Sequence, residues 1–285
     1  VGHESLNTNT TGYSNTAMGN NAMILSTTGY ANTAIGKNAM SSATSAFLNT
    51  SVGMISMPNL TTGNSNAAVG YSALFMSTTG SENTAIGHGA GHLITTGNNN
   101  TCIGKSANVG ATVSNSSALG NGANVSSSNT VEIGNASVTS IGGYAAWTNL
   151  SDGRCKQNIQ NDVPGLEFVT KLRPVTYNMD LDALADIKGT PDSLRSIEDE
   201  KTKEQIVYTG LIAQEVEQAA IDANYNFSGV DAPQNENDHY ALRYAEFVAP
   251  LIKSVQELNE MNRDLKREVE VLRQQISLIN STAKK

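Results

Sequence analysis

Residues 149–159 read NLSDGRCKQNI, placing Ser151 and Lys156 five positions apart in a short polar stretch. A serine hydroxyl becomes a nucleophile only when a base takes its proton. No histidine is placed to do so: His3, His88 and His92 lie upstream and His239 lies far along the chain. Lys156 can serve if its amine is neutral, which requires its pKa to fall from about 10.4 towards 7–8 through burial or nearby positive charge. Arg154 is a candidate for that neighbour. Asp152 either caps the segment that follows or positions the pair, and capping is the commoner use of such a residue. Donors to an oxyanion could come from Asn158 or from backbone amides. Taken alone, Ser-x4-Lys is more often an ordinary loop than a site, so its surroundings decide.

A change of composition falls at the same point. Residues 1–146 carry two basic side chains (Lys37, Lys105) and three acidic ones (Glu4, Glu82, Glu132). Of the chain's 18 basic and 26 acidic side chains, the other 16 and 23 lie beyond, with nearly all of the net charge of −8. Aromatics at 5% and charged residues at 15% argue against one ordinary globule. Neither region has the basic face that nucleic acid would need, and no apolar run reaches membrane-spanning length. Cys102 and Cys155 form no CxxC pair, and the sequence offers no metal cluster, no cofactor motif and no G-x-S-x-G elbow. No metal and no cofactor is expected.

The first region repeats. NTAMG, NTAIG, NTSVG, NAAVG, NTAIG and NTCIG end at Gly19, Gly36, Gly53, Gly70, Gly87 and Gly104, a constant step of 17 residues, with looser copies ending at Gly120 and Gly134. A disordered tract has no reason to keep one register. A fixed period predicts a solenoid in which each copy forms a coil, stacks on the next and aligns equivalent side chains in ladders. Cys102 takes the small-residue slot of Ala17, Ala34 and Ala85 and is expected to pack there. Each coil offers few large apolar groups, so several chains wrapped around a common axis are expected to bury the Ala and Ile faces against one another. Such a fibre must align its chains before any coil is stable. The repeat is already running at residue 11, which suggests the C-terminal piece of a longer protein.

The far end supplies a clamp. Val248, Leu251, Val255, Leu258, Asn262, Leu265, Val269, Leu272, Ile276 and Ile279 form a heptad seam, read as a coiled coil whose helix starts near Pro250. β-Branched residues at a, Leu at d and one Asn at a lean towards two strands. Between the breakpoint and the coil, helical spacing over 165–172 and 213–222 and strands at 174–179, 206–213 and 239–244 predict a small α+β segment. The polar stretches 181–205 and 223–238 read as solvated excursions.

Four motifs, SDGRCKQNI, LRPVTYN, TGLIAQEVE and LRYAEFVAPLIKSVQELN, resemble in order the landmarks of the S74 intramolecular chaperones found at the ends of bacteriophage tail spikes and tail fibres. The repeats are similar to the fibrous segments that precede such domains and to trimeric adhesin heads. The resemblance covers about residues 147–281. It implies a mainly β, trimeric solenoid fibre over 1–146 and a chaperone and auto-protease domain over 147–285, with an α+β part at 147–245 and a coiled coil at 246–281. It further implies that the domain forms a homotrimer, folds the upstream fibre as its client and then cuts itself free. Carried onto this chain, the nucleophile is Ser151, the base Lys156 and the scissile bond Leu150–Ser151. Cys155 stands where an aliphatic residue is usual. The protein would then belong to a virion, meet a host-surface receptor and shed its chaperone into the host cytoplasm. The competing reading is a non-cleaving adhesin stalk with a permanent C-terminal trimer anchor.

Overall fold

The repeat dictates the first part of the fold. In the computed structural model, which describes residues 1–282, strands β1 (Thr16–Met18), β2 (Thr33–Ile35), β3 (Thr50–Val52), β4 (Ala67–Val69), β5 (Thr84–Ile86) and β6 (Thr101–Ile103) stack in parallel and in register. A pair of two-residue strands, β7 (Asn108–Val109) and β9 (Asn124–Val125), forms a second small sheet. β8 (Ser117–Leu119) and β10 (Val131–Ile133) complete the main sheet, in the order β1-β2-β3-β4-β5-β6-β8-β10.

Beyond it come α1 (Leu166–Val169), β11 (Val175–Tyr177), α2 (Leu181–Lys188), α3 (Ile197–Glu204), β12 (Tyr208–Gly210) and α4 (Ala213–Asp222). They are followed by β13 (Val230–Asp231), β14 (Ala241–Leu242) and α5 (Val248–Thr282). Residues 283–285, the end of the expected second domain, lie outside the described residues.

Two compact units result. Val1–Gly142 joins Met179–Ile206 and Gln234–Asp238 in one, and Gly143–Asn178, Val207–Pro233 and the chain from His239 form the other.

Asparagine explains why the coils keep register. Asn32 donates its amide N–H to Asn15 Oδ1 at 3.2 Å and to the Ala46 carbonyl at 2.8 Å, while its backbone N–H also reaches Asn15 Oδ1 at 3.0 Å. The same bonds recur at Asn49, Asn66, Asn83 and Asn100, so each buried amide is satisfied by the coils on either side. Gly19 turns the corner with φ +137°, and a Cβ there would lie 2.5 Å from the Gly36 carbonyl oxygen, so only glycine fits. We expect Asn66→Ala to cost about 2–4 kcal/mol, because it strands the Gly80 carbonyl and the Asn83 N–H in a dry interior. A denaturant midpoint for the repeat region measures this.

Alternation within each strand sets the two faces. The central residues Ala17, Ala34, Ala68, Ala85, Cys102 and Ala118 point into the coil and pack on Met23, Met40, Met57 and Leu74. Cys102 fills the small slot as expected, and burial pushes its thiol up to about 12. The expectation that Ala and Ile faces would both be covered by other chains is corrected. Alanines form the core of the single coil, and only the next residue, Met18, Ile35, Val69, Ile86, Ile103 and Ile133, stands out as an exposed apolar stripe.

The second unit is built on aromatic packing. Phe168 of α1 is fully buried against Phe227 and Phe247, with Val216, Ala219 and Ala220 of α4 around it. β11 pairs antiparallel with β12, and β13 with β14. Helix α5 begins at Val248, two residues before the expected start, and Pro250 sits in its first turn, where no N–H is needed. It packs on α1 through Pro250, Ser254 and Glu257, whose carboxylate accepts from the Leu166 N–H at 2.8 Å and so caps α1.

Candidate active site

The short turn after Ser151 explains how a serine and a lysine five positions apart come together. Asp152 accepts from the Arg154 N–H at 2.9 Å and starts a 3₁₀ turn over Gly153–Cys155, closed by Cys155 N–H to the Asp152 carbonyl at 3.0 Å and Lys156 N–H to the Gly153 carbonyl at 3.2 Å. Lys156 leaves the turn extended, and its Nζ donates to Ser151 Oγ at 3.0 Å. The lysine is therefore in proton-transfer reach of the hydroxyl within one chain.

The surroundings are open. Leu150, Ser151, Arg154, Cys155, Lys156 and Asn158 are exposed, and Asn158 holds a left-handed backbone with φ +53°. Arg154 lies against Asp152: its guanidinium bonds the carboxylate at 3.1, 3.1 and 2.6 Å, and this pairing holds the Asp152 carboxyl below the usual carboxylate range. Its charge is spent locally. Leu150 and the upstream Trp147 and Tyr144 are also largely exposed apolar groups, at 82%, 86% and 112% relative accessibility. Among the described residues no His/Cys/Asp/Glu group could hold a metal ion, and no helix is long and apolar enough to cross a membrane.

A second set of residues escaped the sequence reading. The stretches expected as solvated excursions contain α2 and α3, and 179–206 and 234–238 pack with the repeat unit. Lys188 Nζ meets Glu132 Oε1 at 2.5 Å, and Lys203 Nζ donates to the Ala136 and Val138 carbonyls at 2.7 and 2.8 Å. Burial lowers the Lys203 ammonium from its ordinary value. Ser127 donates to Asp238 at 2.9 Å, and Asn235 to the Ser126 carbonyl at 3.1 Å. Within the excursion Arg195 ties α2 to α3 through Asp182 and the buried Glu200, at 2.6 Å each. Helix α3 is almost wholly polar, so hydrophobic periodicity does not reveal it, whereas the eight-residue α2 is amphipathic and buries Leu181 and Ala185.

Glu132 was the available signal. It stands opposite Ala118 in the column that otherwise carries small residues, so a carboxylate marks the last coil and requires a counter-charge. Lys188→Met is expected to destabilise the unit by about 1–3 kcal/mol, since it leaves that carboxylate only partly hydrated. Adding Glu132→Ala, the residue type used elsewhere in the column, should recover most of the loss in a double-mutant melting cycle.

Residues 151–225 match the family model Peptidase_S74, chaperone of endosialidase. The chain carries an S74 chaperone domain. The matched segment opens on Ser151 itself and includes the excursion that grips the last coils. A C-terminal chaperone role follows from the S74 domain, in a family associated with peptidase chemistry. No curated protein and no solved structure matches the chain.

Proposed function

We propose that residues 147–285 form an S74 chaperone that trimerises, directs folding of the β-solenoid over residues 1–146 and then releases itself by cutting Leu150–Ser151. The observation that carries this reading is the excursion seated on the last coils, with Lys188 on Glu132 and Lys203 on two carbonyls of the chain just beyond. A helper that must start a stack has to hold the end where stacking begins; Lys203 does so through backbone carbonyls and Lys188 through Glu132, the carboxylate that marks the last coil.

Helix α5 supports the trimer. It packs on its own unit through Pro250, Ser254 and Glu257, while Val248, Leu251, Val255, Leu258, Leu265, Val269, Leu272, Ile276 and Ile279 all remain exposed. The face used within the chain is therefore not the heptad seam. A continuous open seam of this kind is covered by copies of itself. The stripe of Met18, Ile35, Val69 and Ile86 gives the fibre a matching apolar face for the same partners.

The chemistry is a single turnover. Lys156, once neutral, takes the proton of Ser151 Oγ as the oxygen attacks the Leu150 carbonyl carbon. The Leu150–Ser151 C–N bond breaks, the serine nitrogen receives a proton, and the acyl group rests on Oγ as an ester. Water then cleaves the ester, leaving a Leu150 carboxylate and a free Ser151 amine. In the single chain Lys156 is exposed to solvent. Assembly that buries it would switch the base on, so cutting would report a formed trimer. The assignment extends to a virion tail fibre or spike that sheds its chaperone in the host cytoplasm.

Denaturing electrophoresis with N-terminal sequencing tests the proposal: two fragments of nearly equal mass, one of them beginning Ser-Asp-Gly, are expected. One full-length band from a trimeric protein would favour the permanent anchor instead.

A further inference from the structure

Two columns of the solenoid leave the repeat pattern together. At steps of 17 residues the first holds Asn20, Lys37 and Met54, then Tyr71 and His88; the second holds Ile24, Ser41 and Pro58, then Phe75 and His92. The fold does not need rings here, because other coils stack with Asn, Lys, Ile or Ser in the same places. Yet the rings pair closely: Tyr71 lies on His88 with centroids 5.1 Å apart and planes within 20°, and Phe75 on His92 at 5.0 Å and 7°.

Both pairs line one cavity of about 620 Å³ in the repeat unit, whose other wall includes Pro191 and Leu194 of the excursion. Among the described residues no Asp, Glu, Lys or Arg lines it. Its polar groups are hydroxyls, an amide and two imidazoles, and they are partly committed. The buried Ser72 hydroxyl lies 3.4 Å from His92 Nδ1, leaving Nε2 as that ring's remaining polar atom. The buried Asn108 side chain accepts from the Leu93 N–H at 3.0 Å and donates to the Ser106 carbonyl at 3.2 Å.

We propose that this cavity is a binding site for a neutral saccharide. Flat, parallel rings offer faces for the C–H-rich face of a pyranose, while Tyr71, His88 and His92 supply hydrogen-bonding edges for its hydroxyls. The volume falls within the range of ordinary small-molecule pockets. An anionic ligand would find no Lys or Arg to pair with in the lining, and a purely apolar one would leave the imidazole nitrogens unpaired. The rings belong to residues 71–92, so binding does not depend on whether the chain is cut.

The full chain carrying Ser151→Ala is applied to a printed array of neutral hexose and N-acetylhexosamine oligosaccharides, with sialylated, sulfated and nucleoside probes alongside. Binding to at least one neutral oligosaccharide is expected. It should weaken at least 10-fold in Tyr71→Asn/Phe75→Ile, which imports the residue types of Asn20 and Ile24 and keeps the coil foldable. Tyr13→Ala, in the separate Tyr13–Tyr30–Phe47 stack, should leave it unchanged. No neutral ligand, a preference for anionic or nucleoside probes, or equal binding by the ring variant would each overturn the site.

Discussion

Lys156→Arg is expected to run as one band of 30.0 kDa under denaturing conditions where the unmodified chain gives two. An arginine at this position can still donate to Ser151 Oγ and keeps the positive charge beside the Asp152 turn, so the local structure survives. What it cannot do is lose a proton near neutral pH. Removing a general base costs roughly 10²–10⁴-fold in rate, enough to turn processing during expression into an uncut chain. The comparison separates a base from a mere positioning contact, because only the base requires a neutral nitrogen. Ser151→Ala should give the same single band, and Ser151→Cys should retain slower cutting, since a thiol keeps the nucleophile. Fragments persisting in both Lys156→Arg and Ser151→Ala would remove this pair from the chemistry.

Much of this arrangement was legible because it depends on local pattern. A constant 17-residue step can be satisfied only by stacked equivalents, and the ladder from Asn15 to Asn100 keeps that register bond for bond. The turn at Asp152–Lys156 was also within reach, since Asp at an N-cap followed by glycine favours a tight local return. The sign of each ladder face was harder. Ala and Ile are both apolar, and only the alternation of strands set against the curvature of the coil places Ala inside and Ile outside. The excursion was least legible. Helix α3 is almost wholly polar and α2 is only eight residues long, the anchoring groups lie some 60 to 110 residues from their partners, and an ion pair such as Lys188–Glu132 leaves no periodic trace. Arg154 shows the opposite failing: proximity in sequence suggested an influence on Lys156, whereas Asp152, two residues away, holds its charge in a forked pair.

The second large effect concerns the seam. Leu258→Asp together with Leu265→Asp places two carboxylates per helix at d positions that the single chain leaves exposed. Within one chain the change is nearly silent, because α5 meets α1 through Pro250, Ser254 and Glu257 on another face. In a trimer it buries six like charges along one axis, each at a cost of several kcal/mol. The association constant should therefore fall by more than 10³-fold, and sedimentation should find a monomer. If burial on assembly is what makes Lys156 a base, the same variant should also stop cutting, although Ser151 and Lys156 are untouched and 3.0 Å apart. Val271→Asp, off the seam on the same helix, should change neither property. A monomer that still cuts would break the link between assembly and chemistry, while a variant that remains trimeric would move the clamp elsewhere in the unit. Coupling the two readouts matters because a fibre that needs alignment to fold gains from a cut that waits for alignment.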